Sequence, residues 1–153
     1  MAQTTDALSG VANSVEYSLN GSSWTNMSGY ANLVTAEPQN RMSAVTYTFD
    51  GDTAIVTFGK REPFSITVRM CYTEDASSPW EALRALHEAA GGTAVWLRWS
   101  PKGSGTGAFE FTTPSTKIAT FPYPNADASA ADPILVEIVF GPVASVTKSL
   151  ATT

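Results

Sequence analysis

The single histidine and the single cysteine are the residues best suited to acid–base or nucleophilic chemistry. His87 lies on the polar side of a predicted helix, and Cys71 lies within a predicted strand. A catalytic histidine needs a nucleophile or an orienting carboxylate beside it, and no motif around His87 supplies one. A reactive thiol needs a helix N-terminus or cationic neighbours, and only Arg69 shares the predicted face of Cys71. We therefore expect a contact-making histidine, a buried free cysteine and no enzyme activity.

Ligand-binding patterns are incomplete in this sequence. The glycine-rich run at residues 103–107 leads into a predicted strand, whereas a phosphate-binding loop leads into a helix whose N–H groups bind the phosphate. The spacing of Asp127 and Asp132 fits no calcium loop. One histidine and one cysteine do not suffice for a tetrahedral zinc site. The sequence predicts neither a metal nor a cofactor.

Two tryptophans leave open a sugar-binding role. Trp96 and Trp99 could stack on a sugar in a carbohydrate-binding β-sandwich module, which would be a different class of protein. Alternation along the predicted strand places them on opposite faces, so they do not form one platform. Glycan-array binding that is lost in Trp96→Ala would support this alternative, and a silent array would count against it.

Composition indicates a folded, acidic domain. The chain has 153 residues, of which 43% are hydrophobic and 15% charged, and its net charge is −5. Such a chain can bury a core, and its charge repels phosphate backbones. The pair Lys60 and Arg61 is too small for a nucleic-acid footprint. With no signal-like N-terminus and no apolar run of membrane-spanning length, we expect synthesis and folding in a cytoplasm.

One helix is predicted, over residues 78–90. Ser78 is suited to the N-cap, Pro79 to the first helical position, and Glu81 to the return bond of a capping box. The two glycines that follow the helix favour its termination. Leu83 and Leu86 are predicted to turn inward as the core face, with Trp80 at the margin of that face.

Most of the remaining chain alternates between apolar and polar residues and predicts strands. We predict one domain over residues 1–153, mainly β, as a two-sheet β-sandwich or partial barrel with one flanking α-helix. A hairpin is predicted with its tip at residues 50–53, a turn at 59–63, and a long loop at 25–40. The ends are predicted as a flexible arm, residues 1–13, and as either a last strand or a C-terminal arm, residues 143–153.

Several short motifs follow one another in a fixed order. They are Tyr17-Ser18-Leu19-Asn20-Gly21 with Trp24, Ser28-Gly29-Tyr30, Gly59-Lys60-Arg61-Glu62-Pro63, Ile66-Thr67-Val68-Arg69, Tyr72-Thr73-Glu74, Leu97-Arg98-Trp99-Ser100-Pro101, Phe121-Pro122-Tyr123-Pro124, and Thr147-Lys148-Ser149. This ordered pattern spans nearly the whole chain. It resembles the major tail tube protein of long, non-contractile bacteriophage tails and of related gene-transfer particles.

The resemblance implies a tail-tube fold in which six subunits close a ring, sheets of neighbouring subunits join into a barrel around a lumen, and rings stack into a tube. It implies that DNA passes through the lumen without specific binding. The implied partners are the chain itself and the tape-measure, tail terminator and baseplate or tip proteins, with no membrane. The implied location is the virion tail, assembled in the bacterial host cytoplasm. A type VI secretion-like tube subunit and a tail completion protein remain alternatives.

The resemblance also assigns roles to charged residues. An acidic lumen would repel the phosphates of passing DNA. The candidate lumen-facing residues are Asp50, Asp52, Glu110 and Glu137. The candidate ring-stacking contacts are Glu37, Lys60, Arg61 and Glu62, together with the two terminal segments.

Overall fold

The computed structural model describes residues 13–103, 105–126 and 131–152. This part of the chain contains one helix, α1 (Pro79–Glu88), and is otherwise built of strands. The strands are β1 (Ser14–Ser18), β2 (Trp24–Asn26), β3 (Ala31–Ala36), β4 (Arg41–Thr46), β5 (Ile55–Arg61), β6 (Phe64–Cys71), β7 (Trp96–Ser100), β8 (Phe109–Thr112), β9 (Ile118–Thr120), β10 (Leu135–Val143) and β11 (Thr147–Leu150).

Two antiparallel sheets pack face to face around one core. The five-stranded sheet has the order β11-β8-β7-β1-β2, and the four-stranded sheet has the order β3-β6-β10-β9. In β6 the side chains of Ile66, Val68 and Met70 are fully buried, because alternation turns every second residue toward the other sheet. Ile138 and Phe140 of β10 are buried in the same way. The predicted fold class, mainly β with one helix, is confirmed.

The helix begins where the sequence predicts it to begin. The Ser78 side chain accepts a hydrogen bond from the Glu81 N–H at 3.4 Å, and Pro79 occupies the first helical position. The return half of the capping box does not form, because the Glu81 carboxylate instead accepts from Arg84 at 2.9 Å. Arg84 also donates to Glu88, which lowers the pKa of the Glu88 carboxyl. The helix ends at Glu88, two residues before the predicted end.

The helix closes one side of the sandwich with its first two turns. Leu83 is fully buried, whereas Leu86 is half-buried against the core. Trp80, which the sequence predicts at the margin of the apolar face, is only 6% exposed. The centroid of its indole ring lies 5.0 Å from that of the Tyr72 ring and 5.4 Å from that of the Phe121 ring. These contacts pack the first helical turn against the core.

Two segments predicted as irregular are partly strand. Residues 25–40 contain the end of β2 and the whole of β3, which pairs with β6. The region 59–63 is a turn only at Glu62 and Pro63, because β5 continues to Arg61. β3 lies at the edge of its sheet and β5 carries charges at its end, so neither has the apolar pattern of a buried strand.

Of the two predicted terminal arms, only the C-terminal one lies almost wholly within the described residues. Of the predicted N-terminal arm, residues 1–12 lie outside the described residues. Within residues 143–153, β11 pairs with β8. Of the two predicted alternatives for this segment, a last strand or a C-terminal arm, the structure has the last strand. Cys71 ends β6 and is half-buried, whereas the sequence predicts a buried thiol within the strand.

Candidate assembly surfaces

The hairpin of β4 and β5 stands apart from the sandwich. Its two strands pair with each other and belong to neither of the larger sheets. Every residue of both strands is exposed. The connecting segment between the two strands, residues 47–54, carries two exposed aromatic rings, Tyr47 and Phe49. The predicted hairpin is therefore present, with a connection longer than residues 50–53 and with no core beneath it.

One face of this hairpin is apolar. Val45 lies opposite Val56, and Ser43 lies opposite Phe58, so these side chains point to the same side. Val45, Val56 and Phe58 are 58%, 51% and 73% exposed, and we call them the hairpin apolar face. The opposite side carries Thr57, which pairs with Ala44, and Thr46, which pairs with Ile55; Ile55 is 48% exposed. An isolated two-stranded hairpin is only marginally stable in water, so this apolar face needs a partner.

Hydrogen bonds fix the base of the hairpin to the sandwich. The Gln39 side-chain amide donates to the Ala144 carbonyl at 2.7 Å, and the Glu62 N–H donates to the Asn40 carbonyl at 2.8 Å. The Glu37 carboxylate accepts from the Ser65 N–H at 3.0 Å. The hairpin is thus anchored at its root and unsupported along its length.

The four candidate ring-stacking residues lie together at this root. Glu37 follows β3, Lys60 and Arg61 end β5, and Glu62 follows β5. All four are exposed. Glu37 is already engaged within the subunit through Ser65, whereas the side chains of Lys60 and Arg61 extend from a solvent-exposed strand.

The four candidate lumen residues lie in three different places. Asp50 and Asp52 belong to the connecting segment of the hairpin. Glu137 is exposed on the outer face of the four-stranded sheet, opposite Arg69 of β6. Glu110 lies on the outer face of the five-stranded sheet. Within one subunit these carboxylates do not form a single acidic surface.

Glu110 belongs to a charge cluster that the sequence analysis missed. Arg98 donates to Glu16 at 2.8 Å through Nε and to Glu110 at 3.5 Å through Nη1. Its guanidinium lies 4.4 Å from the ring centroid of Trp24. Alternation separates Arg98 and Glu110 from the apolar faces of their own strands. The pairings of β7 with β8 and of β1 with β7, which bring Glu110 and Glu16 to Arg98, are not visible in the sequence.

Arg98→Met is expected to lower the free energy of unfolding by about 2–3 kcal/mol. The two half-buried carboxylates, Glu16 and Glu110, would lose the positively charged guanidinium that pairs with both of them. Chemical denaturation followed by fluorescence measures this change. The double variant Glu16→Gln with Glu110→Gln in the Arg98→Met background should recover part of the loss. No recovery would mean that packing on Trp24, and not charge, holds Arg98.

The two tryptophans of the sugar-binding alternative lie on opposite faces of β7, as predicted. Trp96 shares the outer face with Trp24, since both lie opposite Ser18. Trp99 faces the inside of the sandwich, opposite Val15, and stacks on Phe111 at 5.7 Å. The described residues therefore contain no platform made by Trp96 and Trp99.

His87 makes packing contacts on the helix. Its Nδ1 lies 3.2 Å from the Ile118 carbonyl, and its ring stacks on Phe121 at 5.7 Å. His87→Ala is expected to lower the free energy of unfolding by about 1 kcal/mol and to leave assembly unchanged. Thermal unfolding and electron microscopy of the variant check both expectations. Loss of an activity with assembly intact would contradict a purely structural role.

The described residues contain no group of three or more His, Cys, Asp or Glu residues placed to hold a metal ion. Among the same residues, no helix is both long and apolar enough to cross a membrane.

Solved structures with a similar fold come from injection systems and tails. The sheath–tube complex of the extracellular contractile injection system PVC in its extended state matches with a TM-score of 0.72 and 13% identity, over 95% of this chain and 93% of that chain. The chain has the tail-tube fold. A chain from the PVC sheath/tube terminator matches with a TM-score of 0.69 and 14% identity, over 94% of this chain and 96% of that chain.

A third solved structure with this tail-tube fold is the tail of an empty GTA particle, refined with C6 symmetry. It matches with a TM-score of 0.53 and 12% identity, over 99% of this chain and 100% of that chain. No protein-family model matches the sequence, and no curated protein matches it. The neighbours include contractile injection systems, so the fold does not single out non-contractile tails.

Proposed function

We propose that this chain is a non-catalytic structural subunit that assembles with copies of itself into the tube of a phage-like tail or injection particle. The observation that carries the proposal is the hairpin of β4 and β5, whose apolar face has no partner among the residues that the structure describes. A monomeric protein gains nothing from three exposed apolar side chains on a hairpin without a core, whereas an assembling subunit buries them. The tail-tube fold, shared with a sheath–tube complex, supports the same function.

In the finer form of this proposal, six copies close a ring and the rings stack. The C6 symmetry of the GTA tail with a similar fold supports this number. Joining sheet edges across subunits would remove the exposed edges at β3 and β11. Its partners would be the tape-measure, tail terminator and baseplate or tip proteins, and its place the virion tail, after assembly in the host cytoplasm.

The proposed passage of DNA through the lumen rests on charge. The chain has a net charge of −5, and Asp50, Asp52 and Glu137 are exposed carboxylates available to line or rim the lumen. Like charges keep DNA phosphates from adhering along the path. Glu110 contributes less, because its charge is balanced by Arg98.

Electron microscopy of the purified protein tests the proposal. The expected result is six-membered rings or tubes, in the unchanged chain alone or with the tail's initiating proteins added. A strict monomer at high concentration with those proteins present would contradict it. A carbohydrate-binding role, in contrast, requires glycan-array signals that Trp96→Ala removes.

A tube terminator, one kind of tail completion protein, is the second candidate. A chain from the PVC sheath/tube terminator has a TM-score of 0.69, close to the 0.72 of the sheath–tube complex. The two functions differ in their products: a tube subunit polymerises, whereas a terminator forms a single ring that binds the end of a preformed tube. Single rings that never elongate at any protein concentration would favour the terminator.

A further inference from the structure

The inner face of the five-stranded sheet is only partly covered by the four-stranded sheet. β8 and β11 form one end of the wider sheet. Phe109 and Leu150 lie directly opposite each other on these strands, and they are 49% and 58% exposed. Core residues of a sandwich are normally closed off by the facing sheet. The exposure therefore marks a part of the inner face that no second layer covers within residues 13–103, 105–126 and 131–152.

The strand register shows that these side chains belong to the inner face. Val15, which is buried, pairs with Trp99, and Trp99 pairs with Phe111 and stacks on it at 5.7 Å. Phe109 is two residues from Phe111 and so points the same way. Lys148 lies opposite Phe111, and its ammonium lies 3.6 Å from the centroid of the Phe109 ring. We call Phe109, Phe111, Lys148 and Leu150 the uncovered strip.

The strip continues into a cavity beside β3. This cavity has a volume of about 360 Å³, and Val15, Leu33, Val34 and Trp99 contribute to its walls. Trp99 belongs to the cavity wall and also stacks on Phe111 of the strip. Trp99 therefore lies between the cavity beside β3 and the uncovered strip on β8 and β11.

We propose that the hairpin apolar face of a second copy of this chain lies on the uncovered strip. The inference rests on the proposed self-assembly and names the two surfaces that meet. The hairpin of the second copy supplies the second layer that the sandwich lacks over β8 and β11. Val45, Val56 and Phe58 of one copy then pack on Phe109, Phe111 and Leu150 of the next.

Shape and charge favour this occupant. The strip is two strands wide, and so is the hairpin. Lys148 gives the strip a positive charge, and the connecting segment of the hairpin carries Asp50 and Asp52, which this contact would place at the subunit interface and not in the lumen. In the described part of each copy, the hairpin apolar face and the uncovered strip are both exposed, so a single kind of contact would bury both.

This contact joins two different surfaces, so it is heterologous. A heterologous contact does not close as a dimer: it continues from copy to copy and gives a ring or an open filament. The pairing is thus compatible with tube formation, whereas a hairpin that paired with an identical hairpin would stop at two chains.

Photo-crosslinking tests which segment covers the strip. Leu150 is replaced by p-benzoylphenylalanine, the assembled protein is irradiated, and the linked peptides are identified by mass spectrometry. The expected product is a crosslinked dimer in which the label of one chain is attached to residues 41–61 of another. A link to residues 1–12 of the same chain, or to any other segment, would overturn the pairing while leaving self-assembly intact. Failure of the unchanged chain to assemble would instead overturn the proposed function.

Complementation of two variants tests the head-to-tail arrangement. Phe58→Asp removes the hairpin apolar face, and Leu150→Asp removes the strip. Each variant alone is expected to remain a 16.2-kDa monomer, and their mixture is expected to give a 1:1 complex of two such chains, detected by analytical ultracentrifugation. In each pair, the intact hairpin of the Leu150→Asp chain lies on the intact strip of the Phe58→Asp chain. The other hairpin and the other strip carry the substitutions, so no third chain is added.

Matched controls separate this result from misfolding. Thr57→Asp and Thr147→Asp place the same charge on the opposite faces of β5 and β11, and both variants are expected to assemble normally. Circular dichroism checks that all four variants remain folded. A mixture of Phe58→Asp and Leu150→Asp that is no larger than the separate variants would overturn the pairing. Assembly of either variant to the size of the unchanged chain would also overturn it.

Discussion

Phe58→Asp is expected to abolish assembly of the protein while leaving the subunit folded. Phe58 is 73% exposed on a hairpin that no other element covers, so the substitution removes no core contact. Burial of a phenylalanine side chain is worth roughly 1.5–3 kcal/mol, and a charge in its place adds a desolvation cost. Because each 1.4 kcal/mol is about a tenfold change in affinity, the lost burial alone is expected to weaken each contact by about tenfold to a hundredfold, and the desolvation cost adds to this loss.

Size-exclusion chromatography with light scattering measures this effect over a range of concentrations. The thermal midpoint of the Phe58→Asp monomer should lie within a few degrees of that of the unassembled unchanged chain. Thr57→Asp, one residue away on the opposite face of the hairpin, is the matched control and should assemble normally. Normal tubes from Phe58→Asp would show that the hairpin apolar face makes no contact between subunits.

Leu83→Asp is expected to prevent folding of the subunit. Leu83 is fully buried between the helix and the sheets, and a carboxylate there would have no partner. A loss of about 4 kcal/mol or more is expected, which approaches the 5–15 kcal/mol total stability of typical domains. Leu86→Asp should cost less, because Leu86 is only half-buried.

The yield of soluble protein and the circular dichroism spectrum report the folding of Leu83→Asp. Ala85→Asp is the matched control, since Ala85 belongs to the same helix and is exposed. A folded, assembly-competent Leu83→Asp subunit would mean that the helix is not needed for the sandwich core.

Local chemistry explains which parts of the fold the sequence predicts. Ser78 and Pro79 define the helix start because capping depends on neighbouring residues only. The strands β6 and β10 are predictable because one face of each is buried against the other sheet. β3 was predicted as a loop because an edge strand pairs on one side and shows no regular apolar alternation.

The candidate surfaces were harder to predict, because they depend on contacts between distant segments. The alternation of β4 and β5 indicates a hairpin. The same alternation would occur with one face covered by a core or with both faces exposed, so the sequence does not distinguish the two cases. The cluster of Glu16, Arg98 and Glu110 requires the register of β1, β7 and β8. The uncovered strip depends on the difference in width between two sheets, which no local pattern encodes.

The root of the hairpin determines how the molecule bears mechanical load. β4 follows β3, and β5 leads into β6 through Glu62 and Pro63, so both legs of the hairpin continue into neighbouring strands of one sheet. β6 is held by hydrogen bonds to β3 on one side and to β10 on the other. Tension applied to a docked hairpin pulls β3 and β6 in the same direction, so it loads the bonds between β6 and β10 in shear, and many of them must fail together. Because both of its strands continue into one sheet, the hairpin is suited to transmit force from one subunit to the next along a particle.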